Sequence, residues 1–272
     1  MRILRIAAVL FFIASLAISI GVSVIDASRT DSTVPVIENT IDVLEISVES
    51  GEEELFRGLT AYDEKDGDLT EKIMIARTSR LAEDDSCQIK YVVFDSNNNS
   101  AVLTRTVRYT DYESPRFSIS QPLVYSIGEN IRFLDRVTAS DVLAGDISGK
   151  IKVTSSSVSN YQAGTYPVEM EVSNDFGDTV SLQLNVIVTE NADSGPEIQL
   201  SEYLVYLQTG ESFSPRSYIR SVQDADGSTL SASSVSVSGS VDTETAGCYQ
   251  LTYTAESGGE TGRTYLTVVV TD

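Results

Sequence analysis

Asp63-Glu64-Lys65-Asp66-Gly67-Asp68-Leu69-Thr70 is the landmark of the chain, because the stretch returns twice. Asp141–Ser148 reads Asp-Val-Leu-Ala-Gly-Asp-Ile-Ser, and Gln223–Leu230 reads Gln-Asp-Ala-Asp-Gly-Ser-Thr-Leu. The glycines Gly67, Gly145 and Gly227 lie 78 and 82 residues apart. A landmark recurring at that interval implies three copies of one module.

The surroundings of the landmark recur with it. Each copy opens at a proline followed by a short apolar strand, at Pro35, Pro115 and Pro196, and then reaches a Gly-Glu turn, at Gly51, Gly128 and Gly210. After the landmark comes a strand with apolar residues at alternate positions: Ile89, Tyr91 and Val93; Val168, Met170 and Val172; Leu251, Tyr253 and Ala255. Period two puts one face in a core and the other in water. In the first copy Val92 and Phe94 occupy the second face, which predicts an exposed apolar patch there or a neighbour covering it. Asn- and Gly-rich turns follow at 95–100, 174–179 and 256–262, suited to the positive φ of tight hairpins. A last strand closes each copy, at 103–109, 182–188 and 266–270. Nothing after residue 34 has the period of a long amphipathic helix.

Before the repeats, Arg2 and Arg5 precede Ile6–Ile25, an uncharged run of 20 residues rich in Ile, Leu, Val, Ala and Phe. Such a run is long enough to cross a bilayer as a helix, and the leading arginines favour a cytoplasmic N-terminus. A cleaved signal peptide is the rival reading, and both export the remainder. The expected organisation is therefore a hydrophobic helix or signal peptide at 1–26 and a polar tether at 27–34. Three β-sandwich domains then follow at 35–111, 115–190 and 196–272, the last of them the free, distal end.

Composition closes off several functions. The chain has 272 residues and a formal charge of −21, from 19 Lys and Arg against 40 Asp and Glu, which argues against a nucleic-acid partner. It has no histidine, and so lacks the commonest general base and zinc ligand and any Ser-His-Asp triad. No enzyme activity is expected. Cys87 and Cys248 fall in different copies, and are expected to be mostly buried free thiols rather than a disulfide.

The Asp-Gly-Asp-Leu-Thr of 66–70 stands early in its copy. Ala-Gly-Thr-Tyr at 163–166 and Ala-Gly-Cys-Tyr at 246–249 come before the alternating strand, and the turn 174–178 comes after it. With these features the chain resembles the bacterial surface immunoglobulin-like repeat of the pesticidal crystal protein type, in three tandem copies over about 35–272. The resemblance is strongest in the first two copies and looser in the third, where Gln223 and Ser228 replace the two aspartates. The first copy has Asp85-Ser86-Cys87 in place of Gly-x-Tyr. What the resemblance implies is an all-β fold of Ig-like sandwiches, a cell-surface location and a spacer or adhesion role, with no catalytic residues and no cofactor. The disulfide and buried Trp of antibody-type domains are missing.

Two readings of Asp63, Asp66 and Asp68 stay open. One is a weak calcium site, since hard cations collect carboxylate oxygens. The other is an acidic turn whose carboxylates hold backbone N–H groups and whose glycine supplies positive φ. The glycine is kept in all three copies and the acids are not, which favours the turn. Tyr203 and Tyr206 are candidates for stacking on sugars, or core residues. The expected partners are the membrane, through Ile6–Ile25, and a surface protein or polysaccharide ligand bound by the distal module.

Overall fold

The computed structural model describes residues 13–22, 33–192 and 195–271. Residues 13–22 are helical. The remainder of the expected Ile6–Ile25 anchor, and residues 27–32 of the tether, lie outside the described residues. Among the described residues no helix is long and apolar enough to cross a membrane.

The rest is built almost wholly of strands, which fall into three sets. The first holds β1 (Val36–Asn39), β2 (Val43–Ile46), β3 (Leu59–Asp63), β4 (Gly67–Asp68), β5 (Met74–Thr78), β6 (Ser86–Phe94) and β7 (Ser100–Tyr109). The second holds β8 (Arg116–Ile119), β9 (Val124–Ser126), β10 (Val137–Asp141), β11 (Gly145–Asp146), β12 (Lys152–Ser156), β13 (Gly164–Ser173) and β14 (Thr179–Thr189). The third holds β15 (Glu197–Leu200), β16 (Leu204–Gln208), β17 (Ile219–Gln223), β18 (Ser236–Ser238), β19 (Gly247–Ser257) and β20 (Glu260–Thr271).

Each set makes two sheets in the same order. The smaller sheets run β1-β3-β4, β8-β10-β11 and β15-β17, and the larger run β2-β7-β6-β5, β9-β14-β13-β12 and β16-β20-β19-β18. The chain opens each set in the smaller sheet and crosses to the larger, where its second strand pairs parallel with the last: β2 with β7, β9 with β14, β16 with β20. All other pairs are antiparallel. The alternation read from sequence is what joins the layers. Ile89, Tyr91 and Val93 are buried from β6, as are Val168, Met170 and Val172 from β13, and Leu251, Tyr253 and Ala255 from β19. In the second and third sets they cluster with Phe117 and Ala139, and with Ile198 and Val222, from the smaller sheets, and in the first set Ile37 and Ala61 of the smaller sheet are buried as well.

The chain divides into two compact units, Met1–Asp111 and Tyr112–Asp272. The second unit contains both the second and third strand sets.

Local chemistry explains the motifs. In Ala-Gly-x-Tyr the tyrosine hooks backward, with Tyr166 Oη donating to Gln162 O and Tyr249 Oη to Thr245 O, each at 2.8 Å. The ring then lies over the glycine, where a Cβ would meet it at 3.4 Å for Gly164 and 3.5 Å for Gly247. The first copy has no such hook. Its chain turns instead through Asp85 at φ 59°.

The expected patch on the first copy is present. Met74 pairs across strands with Val92, and Val92 with Val102. Met74, Val102 and Phe94 are exposed and Val92 is half-buried, so an apolar row crosses the outer face of the larger sheet.

Cys87 is buried as expected, and burial pushes its thiol pKa up. Cys248 departs from the expectation. It is an exposed thiol on β19 whose Sγ donates to Gln183 O at 3.4 Å. The strand register turns it to the sheet's outer face, beside β14, rather than into the core of its own set.

Candidate functional site

The landmark turns were the candidate metal site in the sequence, and their hydrogen bonds show what the acids do. Asp63 is 1% exposed, and its Oδ1 accepts the N–H groups of Lys65 at 2.9 Å and Asp66 at 3.0 Å. Asp141, also buried, repeats the arrangement with Leu143 and Ala144 at 3.0 and 2.7 Å. A carboxylate in this position closes the turn by holding donors that burial would otherwise leave unpaired. The glycine that follows has φ 76° at Gly67, 71° at Gly145 and 84° at Gly227, a conformation that costs other residues.

Beyond the glycine, Asp68 Oδ1 and Asp146 Oδ1 each accept the N–H two residues on, from Thr70 and Ser148, at 2.9 Å. In the third copy Asp226, just before the glycine, does the same for Ser228. Bonds from these hydroxyl residues hold the pKa values of Asp68, Asp146 and Asp226 below the usual carboxylate value. Asp66 reaches the later turn, where its two oxygens accept from the amide and hydroxyl of Ser96.

The landmark turn is thus laced to the hairpin turn that follows the alternating strand. In the second copy Asn174 Nδ2 donates to Asp141 Oδ2 at 3.0 Å and to Tyr112 Oη at 2.9 Å, while Tyr112 donates to Asp178 at 2.8 Å. Burial first, and then the Asp178 carboxylate, push the Tyr112 pKa up. In the third copy Ser257 Oγ donates to Asp224 Oδ2 at 2.6 Å.

Asp63, Asp66 and Asp68 therefore face three different sets of donors. Among the described residues, no group of three or more His, Cys, Asp or Glu side chains is placed to hold a metal ion. The turn reading makes a sharp prediction. Asp63→Ala removes the acceptor of two N–H groups and is expected to cost about 1–2 kcal/mol, whereas Asp63→Asn keeps an oxygen there and costs less than half of that. Thermal melts of the two variants check this, and equal losses would show that the charge matters. In the same assay, millimolar calcium is expected to leave the melting temperature unchanged.

A second feature was not visible in the sequence. Leu204 belongs to β16 in the third set, yet it is buried in the core cluster of the second, with Phe117, Val168 and Leu184. Tyr203, Tyr206 and Val269 pack against the same cluster. Phe117 donates its N–H to Tyr206 Oη at 3.0 Å, and the Arg116 guanidinium lies 5.2 Å from the centre of the Tyr206 ring. Asn185 Nδ2 donates to Gln250 Oε1 at 3.2 Å. Tyr206 is thus committed to a joint between two strand sets, and its ring is not an open platform for a sugar.

Gly262 and Gly195 permit a close approach where the third set begins. A Cβ on Gly262 would stand 1.7 Å from Pro196 O, and one on Gly195 would stand 2.5 Å from the Thr261 carbonyl carbon. The start of the third set is laid flat against β20, a contact that only glycine admits.

Paired sheets with this strand order, buried alternating faces and hydrogen-bonded turns define an Ig-like β-sandwich protein. Residues 201–270 match the family model described as a bacterial surface protein, Ig-like domain. The match falls on the third copy, the one whose landmark departs most from the pattern. Pesticidal crystal protein Cry22Aa of Bacillus thuringiensis is 33% identical over 135 residues, 48% of this chain and 18% of that protein. Together these support a bacterial surface Ig-like family.

Among solved structures, the M60 catalytic domain with two CBM51 domains from Clostridium perfringens ZmpB has a TM-score of 0.25 at 12% identity. It covers 89% of this chain and 31% of that one. The protocadherin GammaB4 extracellular domain has a TM-score of 0.21 at 11% identity, covering 89% and 50%. Scores this low carry no functional argument. The chain spans half or less of the length of each of these relatives.

Proposed function

We propose that this is an exported, non-enzymatic surface protein whose three Ig-like modules, at 35–111, 115–190 and 196–272, serve as a spacer. Its attachment is the apolar run Ile6–Ile25. The observation that carries this reading is the shared core at Leu204. A spacer has to resist bending, and a leucine of one module buried in the core of the next removes the freedom of a flexible link. The family match supports the surface location. The side chains at the repeated landmark are spent on holding turns, which is the work of a scaffold.

Membrane fractionation combined with protease treatment of intact cells tests the proposal. The chain is expected in the membrane fraction and open to protease from outside. A protease-protected cytoplasmic chain overturns it. Calcium stiffening of the spacer has less support, because the acids of the landmark already have donors.

A further inference from the structure

Two adjoining cavities lie within the second compact unit, of about 720 Å³ and 240 Å³. They share Ser120, Gln121, Glu129 and Arg136, and so form one elongated groove that reaches from β8 and β9 to β15 and β20. Three of its properties point to a ligand.

The first is size, since the larger cavity falls within the range of about 300–1,000 Å³ that small-ligand sites occupy.

Charge is the second property. The chain has 40 acids against 19 bases, yet Arg132, Arg136, Arg220 and Arg263 line this groove against Glu129, Asp135 and Glu197. Both glutamates are engaged. Glu129 Oε2 accepts from Ser126 N at 2.8 Å, and Glu197 Oε1 accepts from Gln199 Nε2 at 2.9 Å. Arg136 is held by the carbonyls of Pro122 and Val124 and lies 4.2 Å over the Tyr125 ring. Among the described residues, the guanidinium groups of Arg132, Arg220 and Arg263 make no hydrogen bond or ion pair. A planar fork of unpaired donors suits a carboxylate bound through two oxygens.

The third property is the amide lining. Gln121 and Asn130 offer both donors and acceptors, as saccharide hydroxyls require. A nucleic acid needs a continuous basic surface, and a charge of −21 opposes that.

We propose that the groove binds a linear saccharide carrying carboxylates, a uronic-acid polymer in chemical class. Arg220 and Arg263 take carboxylates, Arg136 forms the fixed wall between the two halves, and the amides take ring hydroxyls. The site goes beyond the spacer reading and does not rest on it.

Calorimetric titration of the full chain with an oligogalacturonate tests the proposal. A maltooligosaccharide of equal length and an oligoglutamate serve as comparators. Oligogalacturonate is expected to bind, to weaken with added salt, and to lose about tenfold in affinity for each of Arg220→Ala and Arg263→Ala, the loss of one charge-assisted contact. Both side chains are exposed, so the variants are expected to melt like the parent, which separates lost binding from lost fold. Silence with oligogalacturonate, equal binding of maltooligosaccharide or oligoglutamate, or undiminished affinity in the double variant each overturns the proposal.

Discussion

Arg105→Ala is expected to destabilise the first compact unit by about 3 kcal/mol or more, the largest effect of any single substitution considered. Arg105 is 2% exposed on β7, with no carboxylate partner among the described residues. Its guanidinium serves backbone instead. Nη1 donates to Arg57 O at 2.7 Å, and Nη2 donates to Leu55 O and to Tyr91 Oη. Leu55 and Arg57 stand at the end of the 3₁₀ turn Glu52–Phe56, where carbonyls have no partner within the turn. Tyr91 Oη donates to Leu55 O as well, and its ring lies 5.3 Å from the guanidinium.

Alanine leaves those carbonyls without their charged donor and opens a void where the side chain ran. Calorimetry of the full chain is the appropriate measurement, since two compact units need not melt together. The transition of the first unit should fall by more than about 10 °C, and that of the second should not move. Arg105→Lys keeps the charge but cannot span the same oxygens, and should recover less than half of the loss. A transition unchanged in Arg105→Ala would show that water replaces the guanidinium at no cost.

Leu204→Ala should be felt in a strand set to which the residue does not belong. Removing a buried leucine costs about 3 kcal/mol when the site cannot collapse. Because Leu204 is buried with Val168, Met170 and Val172, the loss is expected in amide hydrogen exchange along Val168–Val172, in β13. Leu207→Ala, on the same strand but buried in the third set's own core, should instead raise exchange along Leu251–Ala255. If both variants acted only on the third set, the shared core would contribute nothing to holding the two together.

These two residues mark where the sequence stops being legible. The alternating strands, the glycine turns, the Asn- and Gly-rich hairpins and the apolar patch at Val92 and Phe94 all follow from local spacing, because each depends on neighbours a few residues away. Arg105 defeats that reasoning. It occupies the position across from Ile89 that Leu184 and Leu266 hold across from Val168 and Leu251, and a charged residue there reads as solvent-facing. Only the carbonyls of a turn some 50 residues earlier make its burial affordable.

Leu204 defeats it differently. A pattern of apolar residues announces burial but not whose core receives them. The acids of the landmark were half legible. Comparing copies separated the steady glycine from the variable carboxylates, but the lacing of Asp66 to Ser96 and of Asp141 to Asn174 joins turns about 30 residues apart. The groove could not have been anticipated. Its arginines are scattered from 132 to 263, and only the approach of β8 and β9 to β15 and β20 collects them.

The parallel pairing of the second strand with the last has a mechanical consequence. In each sandwich, behind the opening strand of the smaller sheet, the second strand and the last lie side by side and run the same way. Tension along the backbone therefore loads their ladder in shear, straining all its hydrogen bonds at once instead of opening them one by one. The ladder is five residue pairs long between β16 and β20, four between β2 and β7, and three between β9 and β14. Under pulling, the last sandwich would hold longest and the middle one yield first, so the leucine lent by its neighbour reinforces the weakest clamp in the series.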